Sequence, residues 1–130
     1  MRICNCTNHK MSANQISAGC IDPEDKDLIS RLIEFNTPED LKDMEQRAEI
    51  LALYVKENGY DAALIGGAPY FQAYLEDALF NQDLKAVYAF SQRISSEKEL
   101  GNGIVEKRSI FVSNCMIVKQ KNEELEFINY

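Results

Sequence analysis

Compact apolar runs alternate with stretches of helical periodicity along the first 90 residues of the chain. Three runs predict strands at residues 2–7, 61–65 and 84–90, and the compact run at 61–65 suits a buried parallel strand. One stripe with steps of three and four residues predicts a long helix that ends before Gly59: Leu41, Met44, Ala48, Leu51 and Val55. Strands that alternate with helices predict an α/β domain with a parallel sheet.

Capping residues and prolines mark the predicted helix starts. Residues 12–15 have the form of a capping box and predict a short helix through residue 17. Asp22 followed by Pro23 predicts the start of a second helix, which ends near residue 35. Two further helices are predicted to begin at Pro38 and at Pro69, because proline suits the first helical position.

The pattern changes in the C-terminal third of the chain. Gly101-Asn102-Gly103 is typical of a hairpin turn and joins predicted antiparallel strands at 95–100 and 104–111. We therefore expect a single three-layer, Rossmann-like α/β domain over residues 1–118, with a short, mainly parallel sheet and a C-terminal antiparallel hairpin. For residues 119–130 two interpretations remain, an edge strand or a loosely ordered tail.

Charge and length narrow the classes of partner. The 130 residues suit one domain, and the formal net charge of −7 argues against binding an extended nucleic acid duplex. No apolar stretch approaches the ~20 residues that span a bilayer, and the N-terminus lacks the pattern of a signal peptide. We expect a cytoplasmic protein without a membrane partner. A small anionic ligand stays compatible with this charge, because a few amides and one cation can hold it locally.

Four cysteines occur in a chain with no predicted export signal, which favours reduced thiols. Cys4 and Cys6 are two residues apart on a predicted strand and share one face of the sheet, where we expect them to be buried. No second closely spaced pair completes a zinc site, although His9 with Cys20 or Cys115 could in principle add ligands. We therefore predict no metal and no cofactor.

Small or polar residues follow each predicted strand. If the three strands are parallel neighbours, these residues meet at the edge of the sheet where open α/β sheets bind ligands. We interpret six of them as ligand-binding residues: Thr7, Asn8, Gly66, Gly67, Ser91 and Gln92. The other two, His9 and Arg93, are interpreted as catalytic candidates.

The catalytic candidates are His9 and Arg93. A histidine in a polar loop can serve as a general base near neutral pH, and the planar fork of an arginine fits a phosphate or carboxylate. Each also has a structural interpretation, as a surface histidine and as an arginine paired with a carboxylate. Gly66-Gly67 would let a ligand approach the backbone, and its alternative interpretation is a tight strand-to-helix turn.

Several segments together resemble a family of small bacterial proteins that are usually left uncharacterised. They are Asn5-x-Thr7-x-His9, Gln15-Ile16-x-Ala18-Gly19, Ala63-Leu64-Ile65-Gly66-Gly67-Ala68-Pro69-Tyr70 and Tyr88-Ala89-Phe90-Ser91-x-Arg93. More distantly, the chain is similar to small Rossmann-like proteins associated with CRISPR systems. That resemblance implies a nucleotide ligand, since some of those proteins bind or cleave cyclic oligoadenylates at their strand ends.

Two classes of function stay open at the level of sequence. The first is a site for a nucleotide or another phosphate compound, with phosphodiester cleavage by His9 and Arg93 if the protein is an enzyme. The second is a non-catalytic interaction module that acts as a homodimer, with the hairpin and the C-terminal tail in the contact.

Overall fold

A computed structural model describes the backbone of residues 1–130 and the side chains of all residues except 111–114. Six strands form, in chain order, β1 Ile3–Asn5, β2 Cys20–Ile21, β3 Ala62–Leu64, β4 Lys85–Gly101, β5 Ile104–Lys119 and β6 Glu126–Asn129. The helices are α1 Ala13–Ser17, α2 Lys26–Ile33, α3 Met44–Glu57 and α4 Pro69–Asn81, with a 3₁₀ helix over Pro38–Asp43.

The six strands form one mixed sheet in the order β2-β1-β3-β4-β5-β6. The first four strands of this order are parallel, and β5 and β6 continue the sheet with antiparallel pairing. The predicted α/β class and the antiparallel C-terminal part are therefore confirmed. Because β1, β3 and β4 are parallel neighbours, their carboxyl-terminal sides lie at one edge of the sheet.

Apolar side chains are buried on both faces of the sheet. The helices α2, α3 and α4 pack on one face, which we call the helix face, over residues such as Cys4, Ala63 and Ala86. The opposite face buries a smaller cluster that includes Ile3, Val87 and Met116. This explains why the central strands are continuously apolar instead of alternating.

The start of α2 differs from the prediction at Asp22 and Pro23. The helix begins at Lys26, because Asp25 is the N-cap and its carboxylate accepts the Leu28 amide at 3.1 Å. Asp22 is engaged elsewhere in the structure, as described below for the candidate site. Asp22 and Asp25 are acidic residues three positions apart, and either could act as the N-cap of α2.

The longest strands also differ from the prediction, which ended the third strand before residue 91. Instead β4 continues to Gly101 and pairs with β5 along its length, with a register irregularity between Phe90 and Ser91. We call residues 91–113 the arm. Its described side chains, 91–110, are exposed except for the half-buried Glu106, so neither face of this ribbon enforces apolar alternation.

Among the residues that the structure describes, no helix has the length and apolar character needed to cross a membrane.

All four cysteines are buried, as expected for Cys4 and Cys6. The Cys6 thiol donates a hydrogen bond to Cys4 Sγ at 3.6 Å. This bond and the burial of the group raise the pKa of Cys6 well above its usual value. Burial raises the pKa of Cys20 to about 11. Since the thiolate is the reactive form, these cysteines are placed as inert core residues.

We expect Cys4 and Cys6 to resist a thiol-specific reagent at neutral pH in the folded protein and to react rapidly in denaturant. The physical reason is that burial and the raised pKa of Cys6 suppress the thiolate. Titration of thiols with and without guanidinium, alongside metal analysis of the purified protein, measures this. Rapid reaction in the folded state, or stoichiometric zinc, would contradict the assignment.

Candidate functional site

Asn5 is the last residue of β1 and organises the loop that follows it. Its side chain is 3% exposed and uses both its carbonyl and its amide group. The side-chain carbonyl accepts from the Thr7 amide at 3.1 Å and from Thr7 Oγ1 at 2.7 Å. The side-chain amide donates to the His9 carbonyl at 3.0 Å and to Asp22 Oδ1 at 3.0 Å. One buried amide therefore fixes the turn over residues 7–9 and joins it to the segment before α2.

The carboxylate of Asp22 completes this arrangement. It lies 3.0 Å from Lys26 Nζ in addition to its bond from Asn5. The hydrogen bond from Lys26, followed by that from Asn5, lowers the pKa of Asp22 from its usual 3.8. The ionised carboxylate consequently stabilises the fold at neutral pH, and this contribution is lost as the pH falls through the lowered value.

The loop over residues 7–10 forms one wall of a cleft of ≈ 450 Å³ at the carboxyl edge of the sheet. Its opposite wall comes from the ends of β3 and β4 and the turn after β3. The lining residues are Thr7, His9, Lys10, Ser12, Gln15, Leu64, Ile65, Gly66, Gly67, Tyr88, Ala89 and Ser91. The volume lies within the range of small-molecule sites in proteins.

Gly66 and Gly67 shape the wall between β3 and α4. Gly67 has a φ of +101°, a backbone conformation that favours glycine, so a side chain there would strain the turn. A Cβ at Gly66 would contact Thr7 Cγ2 at 3.8 Å. In the part of the chain that the structure describes, the backbone amides of Gly66 and Gly67, which line the cleft, donate no hydrogen bond, so they are available to a ligand.

His9 and Lys10 supply the basic chemistry of the cleft. The His9 amide donates to Thr7 Oγ1 at 3.2 Å and its carbonyl accepts from Asn5, so the backbone is held in place. Both side chains are exposed, and neither forms a hydrogen bond or an ion pair with any described residue. An imidazole and an ammonium group are thus both free to contact a bound molecule.

A second cavity of ≈ 260 Å³ lies on the other side of the same loop. It shares Thr7, His9 and Lys10 with the cleft and is otherwise lined by Asn5, Asn8, Asp22, Pro23, Lys26 and Ile29. The loop is therefore a partition between two cavities, and His9 and Lys10 belong to both.

Tyr88 joins the cleft to a polar network under α4. Its hydroxyl donates a short hydrogen bond to Glu76, whose carboxylate also lies 2.8 Å from Lys119 Nζ. Burial, and then the bond to Glu76, raise the pKa of Tyr88 far above its usual 10. Tyr88 therefore stays neutral, and its ring is held in position between α4 and β5.

The structure brings together five of the eight residues predicted from the strand ends. Thr7, His9, Gly66, Gly67 and Ser91 all line the cleft.

The other three predicted residues lie outside the cleft. Asn8 lines the smaller cavity, and its side chain accepts from Ser30 Oγ at 2.8 Å and donates to Glu34 at 3.2 Å. Gln92 and Arg93 lie on the arm because β4 does not end before them. The guanidinium of Arg93 donates to Ser109 Oγ at 3.0 Å across the ribbon.

Sequence reasoning missed Lys10, Tyr88 and the organising role of Asn5. Lys10 is adjacent to the candidate His9, so its position in the same loop was a usable signal. Ser12 and Gln15 were identified only as a capping box, which they do form, with the Gln15 amide donating to Ser12 Oγ at 3.2 Å. No cluster of three potential metal ligands occurs within the described residues.

The comparisons with known proteins give one match. A family model described as "Uncharacterized protein MJ1673 family" matches residues 1–114. No curated protein and no solved structure matches the chain.

We expect Asn5→Ala to lower the free energy of unfolding by about 2 to 3 kcal/mol, because it leaves buried loop groups without partners. Asn8→Ala is the matched control, since Asn8 makes exposed hydrogen bonds at the other end of the same turn. We expect this control to change stability by less than about 1 kcal/mol. Urea unfolding followed by circular dichroism measures both. Equal losses for the two variants would contradict the central role of Asn5.

Proposed function

The chain belongs to the uncharacterized protein MJ1673 family, and we propose that its cleft binds a nucleotide or another small phosphate compound. The observation that carries this proposal is the cleft itself, which is lined at the carboxyl edge of parallel strands by the glycine turn and by His9 and Lys10, whose side chains pair with no described residue. That edge is the usual ligand site of open α/β sheets. Because the net charge of the chain is −7, a cation in the cleft is stronger support for an anion site than it would be in a basic protein.

The distribution of polar and apolar groups supports an orientation for the ligand. Lys10, His9 and the amides of Gly66 and Gly67 suit the oxygens of a phosphate. The ring of Tyr88 and the methyl group of Ala89 add apolar surface to the cleft lining, of the kind that contacts a heterocycle, whereas Leu64 and Ile65 are almost fully buried. A nucleotide combines these two chemistries in one molecule, whereas inorganic phosphate would use only the first.

Phosphodiester cleavage is the reaction that this arrangement would support if the protein is an enzyme. The imidazole of His9 would take the proton from the attacking hydroxyl as its oxygen bonds to phosphorus, while the bond from phosphorus to the leaving oxygen breaks and that oxygen takes a proton from water. A cation would stabilise the charge that develops on the phosphate oxygens. We assign this part to Lys10 instead of Arg93, because Arg93 lies on the arm and is bonded to Ser109.

We also propose that the fold is a Rossmann-like, three-layer arrangement. As a second part of this proposal, a cyclic oligoadenylate is the ligand to test first. The parallel order β2-β1-β3-β4 and apolar burial on both faces of the sheet support the first part. The second part comes from the resemblance to CRISPR-associated proteins and is an analogy of fold.

A non-catalytic interaction module is the second candidate function, and the exposed arm favours it. The two functions are not exclusive, because Ser91 is the one described residue that belongs to both the arm and the cleft. Binding of a ligand at the cleft would identify the ligand site as the primary function, and absence of binding would favour the interaction module.

We expect a thermal-shift screen of mononucleotides, dinucleotides, cyclic oligonucleotides and inorganic phosphate to find a stabilising ligand. A ligand at 100 times its dissociation constant adds about 2.7 kcal/mol of stability. Ribose without phosphate and sodium chloride of equal ionic strength are the controls. A flat response to the whole panel would contradict the proposed ligand site.

With a ligand from this screen, we expect Lys10→Ala to weaken binding by about 1 to 2 kcal/mol, or five- to thirtyfold. Arg93→Ala is the matched control, because it removes the same charge from a residue outside the cleft. Isothermal titration calorimetry measures both affinities. Equal effects of the two substitutions would show that the loss reflects net charge and not contact in the cleft.

His9→Ala separates binding from turnover in the same experiment. If the ligand is cleaved, we expect this variant to bind within a few fold of the parent and to lose about 10²- to 10⁴-fold in single-turnover rate. An unchanged rate would remove His9 from the reaction.

A further inference from the structure

The arm extends beyond the rest of the sheet, and its described side chains, 91–110, are exposed except for Glu106. An isolated two-stranded ribbon is at best marginally stable in water. Five large apolar side chains of the described part of this ribbon are also exposed, and four of them are Ile94 at 44%, Leu100 at 54%, Ile104 at 59% and Ile110 at 59%. A ribbon of this kind gains stability when another surface covers these side chains.

These four side chains belong to one face of the ribbon. Ile94 pairs with Ile110, Ser96 with Arg108 and Lys98 with Glu106. Near the turn the register shifts between Glu99 and Gly101, so Ile104 pairs with Gly101, and Leu100 follows Lys98 on this face by the alternation along β4. We call this the even face, from residues 94, 96, 98 and 100 of β4 and 104, 106, 108 and 110 of β5. It has apolar residues at the tip and at the base of the arm and charged residues in the middle.

The opposite face of the arm is mainly polar. Ser95 lies 3.5 Å from Ser109 through their hydroxyls, and Lys107 lies 3.8 Å from Glu97. Among its described residues Val105 is the exposed large apolar side chain. The ribbon is therefore amphipathic, although both of its faces are exposed.

We propose that two copies of this chain associate through the even faces of their arms, which stack antiparallel about a two-fold axis. The axis passes through the middle of the arm and lies across the strands, so the tip of one arm covers the base of the other. In this register Ile94 lies over the partner's Leu100, and Ile110 lies over the partner's Ile104. Each apolar end of one arm then covers an apolar end of the other.

The charges at the middle of the arm fit the same register. Arg108 lies over the partner's Glu106, and symmetry repeats this contact. Lys98 lies over the partner's Ser96, so no like charges are stacked. Within one chain Arg108 Nε already lies 3.2 Å from Glu106 Oε1, and stacking converts this pair into a four-charge cluster of alternating sign.

The position of the helices selects the antiparallel stack over a parallel one. The even face continues the helix face of the sheet, since Tyr88 on β4 packs in the helix-face core and bonds to Glu76 of α4. In a parallel stack the helices of both copies would occupy the same gap between two sheets about 10 Å apart. In the antiparallel stack the helices cover the helix face of the domain, and the partner's arm covers the same face of the sheet beyond α4.

The size of the contact predicts how tightly it forms. Ten residue pairs span about 34 Å, and two strands are about 10 Å wide, so one face covers on the order of 340 Å². Both faces together are smaller than a standard stable interface. The dimer is accordingly concentration-dependent, and it is measured over a dilution series.

Charge reversal at the middle of the arm tests the proposal. In sedimentation velocity, we expect the parent chain to shift from monomer to dimer with concentration. Arg108→Glu and Glu106→Arg are each expected to lose the dimer, because each stacks like charges on both sides of the axis. An equimolar mixture of the two variants is expected to form a dimer again, since every stacked pair is then opposite in charge.

Lys107→Glu is the matched control, because it makes the same charge change as Arg108→Glu on the opposite face of the arm. We expect it to dimerise as the parent does. Thermal melting by circular dichroism of each variant shows that the folded domain is retained. A parent that stays monomeric throughout, a mixture that does not dimerise, or a control that loses the dimer equally would overturn the proposal.

Discussion

The hydrogen bonds of the buried Asn5 amide are the constraint on which the candidate site depends. A polar side chain at the end of a buried strand is costly unless its groups are satisfied. Asn5 meets this requirement by binding Thr7, His9 and Asp22 at once. The hydrogen bonds that satisfy the buried Asn5 side chain thereby fix the loop that separates the two cavities. His9 and Lys10 are left exposed on a backbone that is held in place, which suits a preorganised binding site.

The opposite wall of the cleft is held by different means. The network of Tyr88, Glu76 and Lys119 ties β4 and β5 to α4, and the positive φ of Gly67 sets the turn into α4. Both walls thus rest on satisfied polar groups or on glycine, while the core beneath them is apolar and contains the inert thiols.

Sequence reasoning located the cleft because neighbouring parallel strands end at a common edge of the sheet. His9 follows β1 and Gly67 follows β3, so both lie at that edge for any conformation of the loops. It placed Arg93 just past a strand end, whereas β4 continues to Gly101, because a polar segment after an apolar run was interpreted as the end of a strand. A ribbon exposed on both faces has no buried side to impose a pattern, so its polar residues look like a loop. The role of Asn5 was hidden for another reason: its four hydrogen bonds exist only after β1 and the segment before α2 are brought together.

The distribution of charge connects the arm to the rest of the molecule. The arm has four basic and three acidic residues, a net charge of +1, which leaves −8 on the remaining residues. Two such acidic domains repel each other at short range, so a compact contact between them would be opposed. Antiparallel arms of about 34 Å would hold the domains apart by several times the Debye length of about 8 Å at physiological ionic strength. The ribbon would therefore serve as both contact and spacer, and the clefts would stay at opposite ends of the assembly.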